Sequence, residues 1–246
     1  MAPLRIAVVV VAYNAETTLR EVLDRIPTSF VPRIASVLVC DDASTDGTHD
    51  VVVQYQSTSS LPITVIRHPV NLGYGGNQKH GYQWAIDNGM DAVVLLHGDG
   101  QYAPERLEEV VAPLDRGEAD AVLASRMMRR LDALRGGMPL YKFVGNIALT
   151  TLQNALTGAR LSEWHTGYRA YLVSALQSVD FRANSDEFDF DTQIILQLLA
   201  AGKRFAEVPI PTYYGDEISR VNSIRYGLQI VGHTIRHRRI SRPARR

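Results

Sequence analysis

Residues 34–48 read Ile34-Ala35-Ser36-Val37-Leu38-Val39-Cys40-Asp41-Asp42-Ala43-Ser44-Thr45-Asp46-Gly47-Thr48. An uncharged run of strand length ends in two adjacent carboxylates. A Ser/Thr/Asp/Gly cluster then supplies cap chemistry for a helix from about Thr48. A strand apolar on both faces and followed by a helix is the unit of a parallel sheet covered by helices. The same unit recurs on either side. Leu4–Ala12 is a Val-rich strand, and Glu16–Ile26 places Leu19, Val22, Leu23 and Ile26 on one helical face. Ile63–His68 is a third strand, and the glycine-rich loop Asn71–Gly76 opens a helix reaching about Asn88. Asp91–Leu96 and Ala119–Ala124 are two more strands, flanking a helix over Glu105–Leu114 with Pro104 in its first turn.

In such sheets ligands bind at the carboxyl ends of the strands. Polar residues gather there: Tyr13-Asn14, Asp41-Asp42, His97-Gly98-Asp99 and Ser125-Arg126. The second half reads differently. Arg129–Gly137 is basic and is expected to be a mobile loop. Pro139–Leu156 is an amphipathic helix, and Glu163–Tyr171 a polar-aromatic strand or loop. Phe190–Ala201 is a helix, Arg204–Tyr214 an edge strand marked by Pro209 and Pro211, and Ser223–Arg238 a last helix.

Lys plus Arg and Asp plus Glu both number 26, so no global field draws in nucleic acid. The single Cys40 permits no disulfide within the chain, which fits a reducing compartment. The N-terminus reads as a strand and not as a signal peptide, and no apolar run is long enough to span a bilayer. The last eleven residues carry six Arg. They are expected to hold the chain on an anionic membrane surface, with Ile224, Leu228, Ile230, Val231 and Ile235 giving apolar contacts before them.

Asp99, at a strand end between glycines, suits a hard divalent cation, Mg²⁺ or Mn²⁺, that bridges a diphosphate. It equally suits a helix cap or a turn. The acceptors of Asp41-Asp42 suit the N–H groups of a nucleobase and the hydroxyls of Ser44 and Thr45 suit ribose, although part of this segment must cap its helix. Lys79, in the first turns of the helix after the glycine loop, is placed to meet an anion. Glu163-Trp164-His165-Thr166-Gly167-Tyr168-Arg169 offers a base for an alcohol acceptor or cations for a phosphate, or else a salt-bridged turn.

The order Ala12-Tyr13-Asn14-Ala15-Glu16, Asp41 to Thr48, Gly98-Asp99-Gly100-Gln101 with Pro104-Glu105, Ser125-Arg126, Thr166 to Arg169 and Glu207-Val208-Pro209 resembles the family 2 glycosyltransferases of GT-A fold. It is most similar to their dolichyl- and polyprenyl-phosphate mannose and glucose synthase branch. The resemblance spans about residues 4–230. Two positions depart from it: His97 replaces the first Asp of the D-x-D pattern, and Glu163 replaces an Asp.

The resemblance implies an α/β, Rossmann-like GT-A domain over 1–235. Residues 1–126 form its nucleotide-sugar half, 127–235 an acceptor half with C-terminal helices, and 236–246 a basic tail. It implies that Ala12, Tyr13, Asn14, Glu16, Asp42, Lys79, Gly98, Asp99 and Arg126 bind the nucleotide sugar. His97, Asp99 and Gln101 would hold the metal. Lys142, Arg169 and Arg220 would meet the acceptor phosphate, and Asp99, Glu163 and Arg169 would serve catalysis. The implied reaction is inverting transfer from a GDP- or UDP-sugar to a polyprenyl phosphate, by a cytoplasmic protein on the inner face of the cell membrane. A soluble alcohol or glycan acceptor, an idle nucleotide-sugar-binding subunit and a homo-oligomer stay open.

Overall fold

The computed structural model describes residues 3–213 and 223–241. Seven strands among them form one sheet in the order β3-β2-β1-β4-β6-β5-β7. The strands are β1 (Ile6–Ala12), β2 (Ile34–Asp41), β3 (Ile63–Arg67), β4 (Ala92–His97), β5 (Ala121–Ser125), β6 (Arg169–Leu172) and β7 (Phe205–Pro209). β1, β2, β3 and β4 run parallel, as does the β5–β7 pair, whereas β6 lies antiparallel between β4 and β5. The five strands expected in the first half are present, and the C-terminal edge strand is there as β7.

Period-two alternation divides each central strand between two helical layers. Ile6, Val8, Val10 and Ala12 face a core shared with α1 (Leu19–Asp24), α2 (Thr48–Thr58) and α4 (Leu107–Asp115). Ala7, Val9 and Val11 face the opposite core, built with α3 (Tyr74–Asp87), α7 (Val173–Leu176) and α8 (Phe190–Ala200). Because both faces are covered, β1 is buried throughout, which explains its unbroken apolar run.

The segment expected to be a mobile loop contains a helix, α5 (Arg130–Arg135). Its Ala133 packs with Met127 and Met138, and the cluster extends to Phe143 and Ile147 of α6 (Leu140–Thr157). The last helix, α9 (Ser223–Ser241), runs slightly past its expected end and packs on α6 and α8. Arg220 and the tail residues Arg242, Pro243, Arg245 and Arg246 lie outside the described residues.

Candidate active site

The strand order places β2 and β3 on one side of β1 and β4 on the other. Between the carboxyl ends of β1 and β4 the sheet has its topological switch point, the usual ligand crevice of an open α/β sheet. Gly98 follows β4 there, and its N–H donates to the Val11 carbonyl at 2.9 Å. A Cβ on Gly98 would meet the Ala12 Cβ at 3.2 Å, so a small residue keeps the two strand ends close. The next residue, Asp99, is exposed, and its Oδ1 accepts the Gln101 N–H at 3.1 Å. Gly100 has φ +79°, the left-handed backbone that turns this loop.

The loops after β1 and β2 are laced together. Asn14 sits at φ 51°; its N–H donates to the Ser44 hydroxyl at 2.9 Å, and its side-chain oxygen accepts the Thr45 N–H at 2.9 Å. Glu16 accepts the Gly47 N–H at 3.0 Å, and Thr48 Oγ1 accepts the Ala15 N–H at 2.8 Å. The Ser44 and Thr48 hydroxyls therefore brace the neighbouring loop, and Asp46 accepts the first helical N–H, that of Thr48. Tyr13 remains 39% exposed beside them.

The two carboxylates after β2 divide their work. Asp41 accepts the Ser44 N–H and pairs with Arg67 at 3.5 Å. Asp42 accepts the Leu72 N–H at 2.7 Å and the Gly73 N–H at 3.1 Å. Burial raises the Asp42 pKa, against the lowering pull of these backbone bonds and of His68. A cleft of about 700 Å³ opens alongside, lined by Ala43, Ser44, Thr45, Arg67, His68 and Pro69. Arg67 and His68 were not among the expected site residues. They form the polar end of β3, and the rule applied to the other strand ends would have found them.

His97 is the last residue of β4 and is partly exposed. Its ring packs edge-on against Tyr74 and Tyr102, and Nε2 is 3.3 Å from the Tyr74 hydroxyl. A Cβ on Gly167 would fall 2.5 Å from this ring, so the glycine makes room for the imidazole. Burial lowers the His97 pKa and favours the neutral ring. Among the described residues no group of three or more His, Cys, Asp or Glu is arranged to hold a metal.

Charge on the other side of the crevice is paired. Arg126 donates its N–H to Glu163 Oε2 at 2.7 Å, and its guanidinium grips Oε1 through Nε at 3.0 Å and Nη2 at 2.5 Å. Asn146 of α6 donates to the same oxygen, and the Arg126 guanidinium lies 5.8 Å from the Tyr102 ring centre. Burial pulls the Glu163 pKa upward, but the Arg126 charge and these bonds outweigh it and the net shift is downward.

Three expected site residues are held by partners within the protein. Arg169 was expected to meet the acceptor phosphate, yet it has no exposed surface. It pairs with Asp191 at 3.2 Å and donates to the carbonyls of Trp164, Thr166 and Asp191. Glu163 is likewise fully buried, and it binds Arg126 and Asn146. Lys79 pairs with Asp186 and donates to the Arg182 and Asn184 carbonyls, so it ties down the segment before α8. Tyr226, a residue not expected in the site, reaches in from α9 and meets His165 Nδ1 at 2.9 Å.

Residues 7–179 match the family described as Glycosyl transferase family 2. A UDP-N-acetylglucosamine–dolichyl-phosphate N-acetylglucosaminyltransferase of Methanococcus voltae is 25% identical over 242 residues, 94% of this chain and 94% of its own. An undecaprenyl-phosphate mannosyltransferase of Micrococcus luteus is 29% identical over 208 residues, 84% of this chain and 83% of its own. Among solved structures, a glucosyl-3-phosphoglycerate synthase of Mycobacterium tuberculosis, in complex with Mn²⁺, uridine diphosphate and phosphoglyceric acid, shares the fold. It matches with a TM-score of 0.71 at 18% identity, covering 96% of this chain and 79% of that one. A match over most of the sheet, joined to a strand order with its switch point between β1 and β4, places this chain in glycosyl transferase family 2, as a glycosyltransferase of GT-A fold.

Proposed function

We propose that the protein transfers a sugar from a nucleoside-diphosphate sugar, with GDP or UDP as carrier, to the phosphate of a polyprenyl phosphate. One observation carries this reading. Tyr13, Asn14, Asp42 and Asp99 follow the carboxyl ends of the adjacent strands β1, β2 and β4, in a chain similar over most of its length to transferases named for dolichyl and undecaprenyl phosphate.

Ala12, Tyr13, Asn14 and Glu16 would line the nucleotide side, with Asp42, 3% exposed, as the acceptor for the base next to the cleft at Arg67 and His68. Gly98 keeps the backbone close to the diphosphate. A divalent cation held largely by substrate phosphates and water needs only one or two carboxylates from the protein. Exposed Asp99 fits that demand, with Gln101 next to it, whereas His97 meets the Tyr74 hydroxyl and is better placed to support the loop. When bound, Mg²⁺ or Mn²⁺ neutralises charge on the departing diphosphate.

Glu163 holds the Arg126 guanidinium, aimed by two N–H donors on one carboxylate oxygen and by the Tyr102 ring. Arg126 is then the cation for the diphosphate or the acceptor phosphate, with Lys142 and Arg220 as further acceptor contacts. The acceptor oxygen attacks the anomeric carbon from the face opposite the diphosphate. As that C–O bond forms, the bond to the diphosphate breaks and the configuration inverts. An alcohol acceptor would need a general base worth roughly 10²–10⁴-fold. A phosphate monoester is already ionised near neutral pH and needs none. The capture of Glu163 by Arg126 favours the phosphate acceptor.

On this reading residues 1–126 handle the donor, 127–235 the acceptor, and 236–246 add basic contacts at the inner membrane face. Thermal shift with GDP, UDP and dTDP, each with and without Mn²⁺, tests the donor side. One base should raise the melting temperature, and further with Mn²⁺. No rise with any of the three would contradict it.

A further inference from the structure

The helix α6 is apolar on more than its inner side: Phe143 and Ile147 pack inward on the Met127–Ala133–Met138 cluster, while further apolar residues face outward. Its buried residues are Thr150 and Gln153. Its amides also point inward: Asn146 donates to Glu163, and Asn154 bonds both the Leu161 backbone and the Trp164 indole. Meanwhile Leu140, Tyr141, Val144 and Leu152 are exposed by 68%, 66%, 56% and 38%. A helix packed on a domain normally keeps its outer face polar. The pattern continues on the neighbours that pack against α6. On α5, Leu131 is 68% exposed, and on α9, Leu228 is 71% exposed. Apolar residues gathered on adjoining helices mark a surface made for a partner.

Charge identifies the partner. Arg129, Arg130 and Arg135 stand exposed or partly exposed around α5, and Arg236 is exposed on α9. Apolar side chains among arginines match an anionic lipid interface, where the tails take the former and the headgroups the latter. A second copy docked through the same face about a two-fold axis would set this basic rim against itself. We propose that the outer faces of α5, α6 and α9 rest on the anionic membrane surface, and that this face, more than the basic tail, makes the membrane contact. The inference deepens the reading of a polyprenyl phosphate acceptor. Asn146 links the lipid-facing helix to the Arg126–Glu163 pair, so the surface that touches lipid also supports the cation of the site.

The test uses the full chain and vesicles of phosphatidylcholine with or without phosphatidylglycerol. Three variants are compared with it: Leu140→Glu with Val144→Glu, Leu228→Glu alone, and truncation after Arg238, which keeps Arg236. The wild type should sediment with anionic vesicles. The double variant should lose about ten-fold or more in partitioning, Leu228→Glu should lose part, and truncation should lose less than the double variant. Melting temperature and nucleotide binding should stay unchanged in both Glu variants, since these side chains are exposed. Undiminished binding by the double variant would overturn the proposal, as would no binding by the wild type. Light scattering that finds a dimer in the wild type and a monomer in the double variant would assign the face to a second copy instead. Transfer to polyprenyl phosphate in detergent separates the two readings: its absence would sink the acceptor while leaving the surface intact.

Discussion

Two walls of one crevice treat charge in opposite ways. At the end of β4, Asp99 is left exposed, with one backbone N–H on its carboxylate. Across from it, Glu163 and Arg169 have no exposed surface and are locked in ion pairs with Arg126 and Asp191. Burying a pair costs desolvation that its attraction roughly repays, so such pairs add little net stability, but removing one partner strands a charge. The open carboxylate can therefore act on a ligand. The fully buried Glu163 and Arg169 act on the protein, by fixing where their partners point.

The largest expected effect is on the open wall. Asp99→Ala should reduce transfer by about a thousand-fold, equivalent to several kcal/mol of lost charge stabilisation. Its melting temperature should hardly move, because the side chain is exposed. Steady-state rates and calorimetry check both halves, and full activity would erase the contrast between the walls. Arg169→Ala should instead cost about 3–5 kcal/mol of stability, because it leaves Asp191 buried without its cation. Denaturant unfolding reads this directly. Unchanged stability with lost activity would return Arg169 to the role of a ligand contact.

Glu163→Gln sharpens the comparison at the point where the walls meet. It keeps the shape and removes the charge that aims Arg126. Turnover should fall by about 10–100-fold, as expected for a misplaced positioning group, with nucleotide affinity little changed. The acid limb of the pH–rate profile should keep its position. If that limb disappears, Glu163 is a general base and the acceptor is an alcohol.

The smallest effect is on stability against pH. Burial pushes the His165 pKa down to about 4, well below an unfolded value of about 6.5. Between those two values the unfolded chain takes up a proton that the folded chain refuses. Stability should therefore fall as pH drops through that window, and His97, shifted the same way by burial, adds to the slope. His165→Gln should flatten the dependence of the melting temperature on pH. An unaltered slope would place its origin elsewhere.

These walls were unequally legible in the sequence. β1, β2 and β4 announce themselves because a strand buried on both faces must be apolar throughout, and its first polar residue then marks the site. β6 gives no such signal: it is four residues long, starts with a charged Arg169, and joins the sheet only because β4 and β5 leave a place for it. Arg67 and His68 escaped because the strand was read through His68 instead of ending at Arg67. The glycines before α3 pointed to an anion, but the partner of Lys79 is Asp186, far along the chain. The pairing of Arg126 with Glu163 is another long-range fact that no local pattern announces.

The acceptor is the claim on which the account turns. It is tested most directly by presenting a labelled nucleotide sugar with three acceptors side by side: a polyprenyl phosphate, the matching polyprenyl alcohol and 3-phosphoglycerate. Sugar should pass to the polyprenyl phosphate alone, in the presence of Mn²⁺ or Mg²⁺, with inverted anomeric configuration. Transfer to the alcohol or to the soluble phosphate, with none to the polyprenyl phosphate, would contradict it.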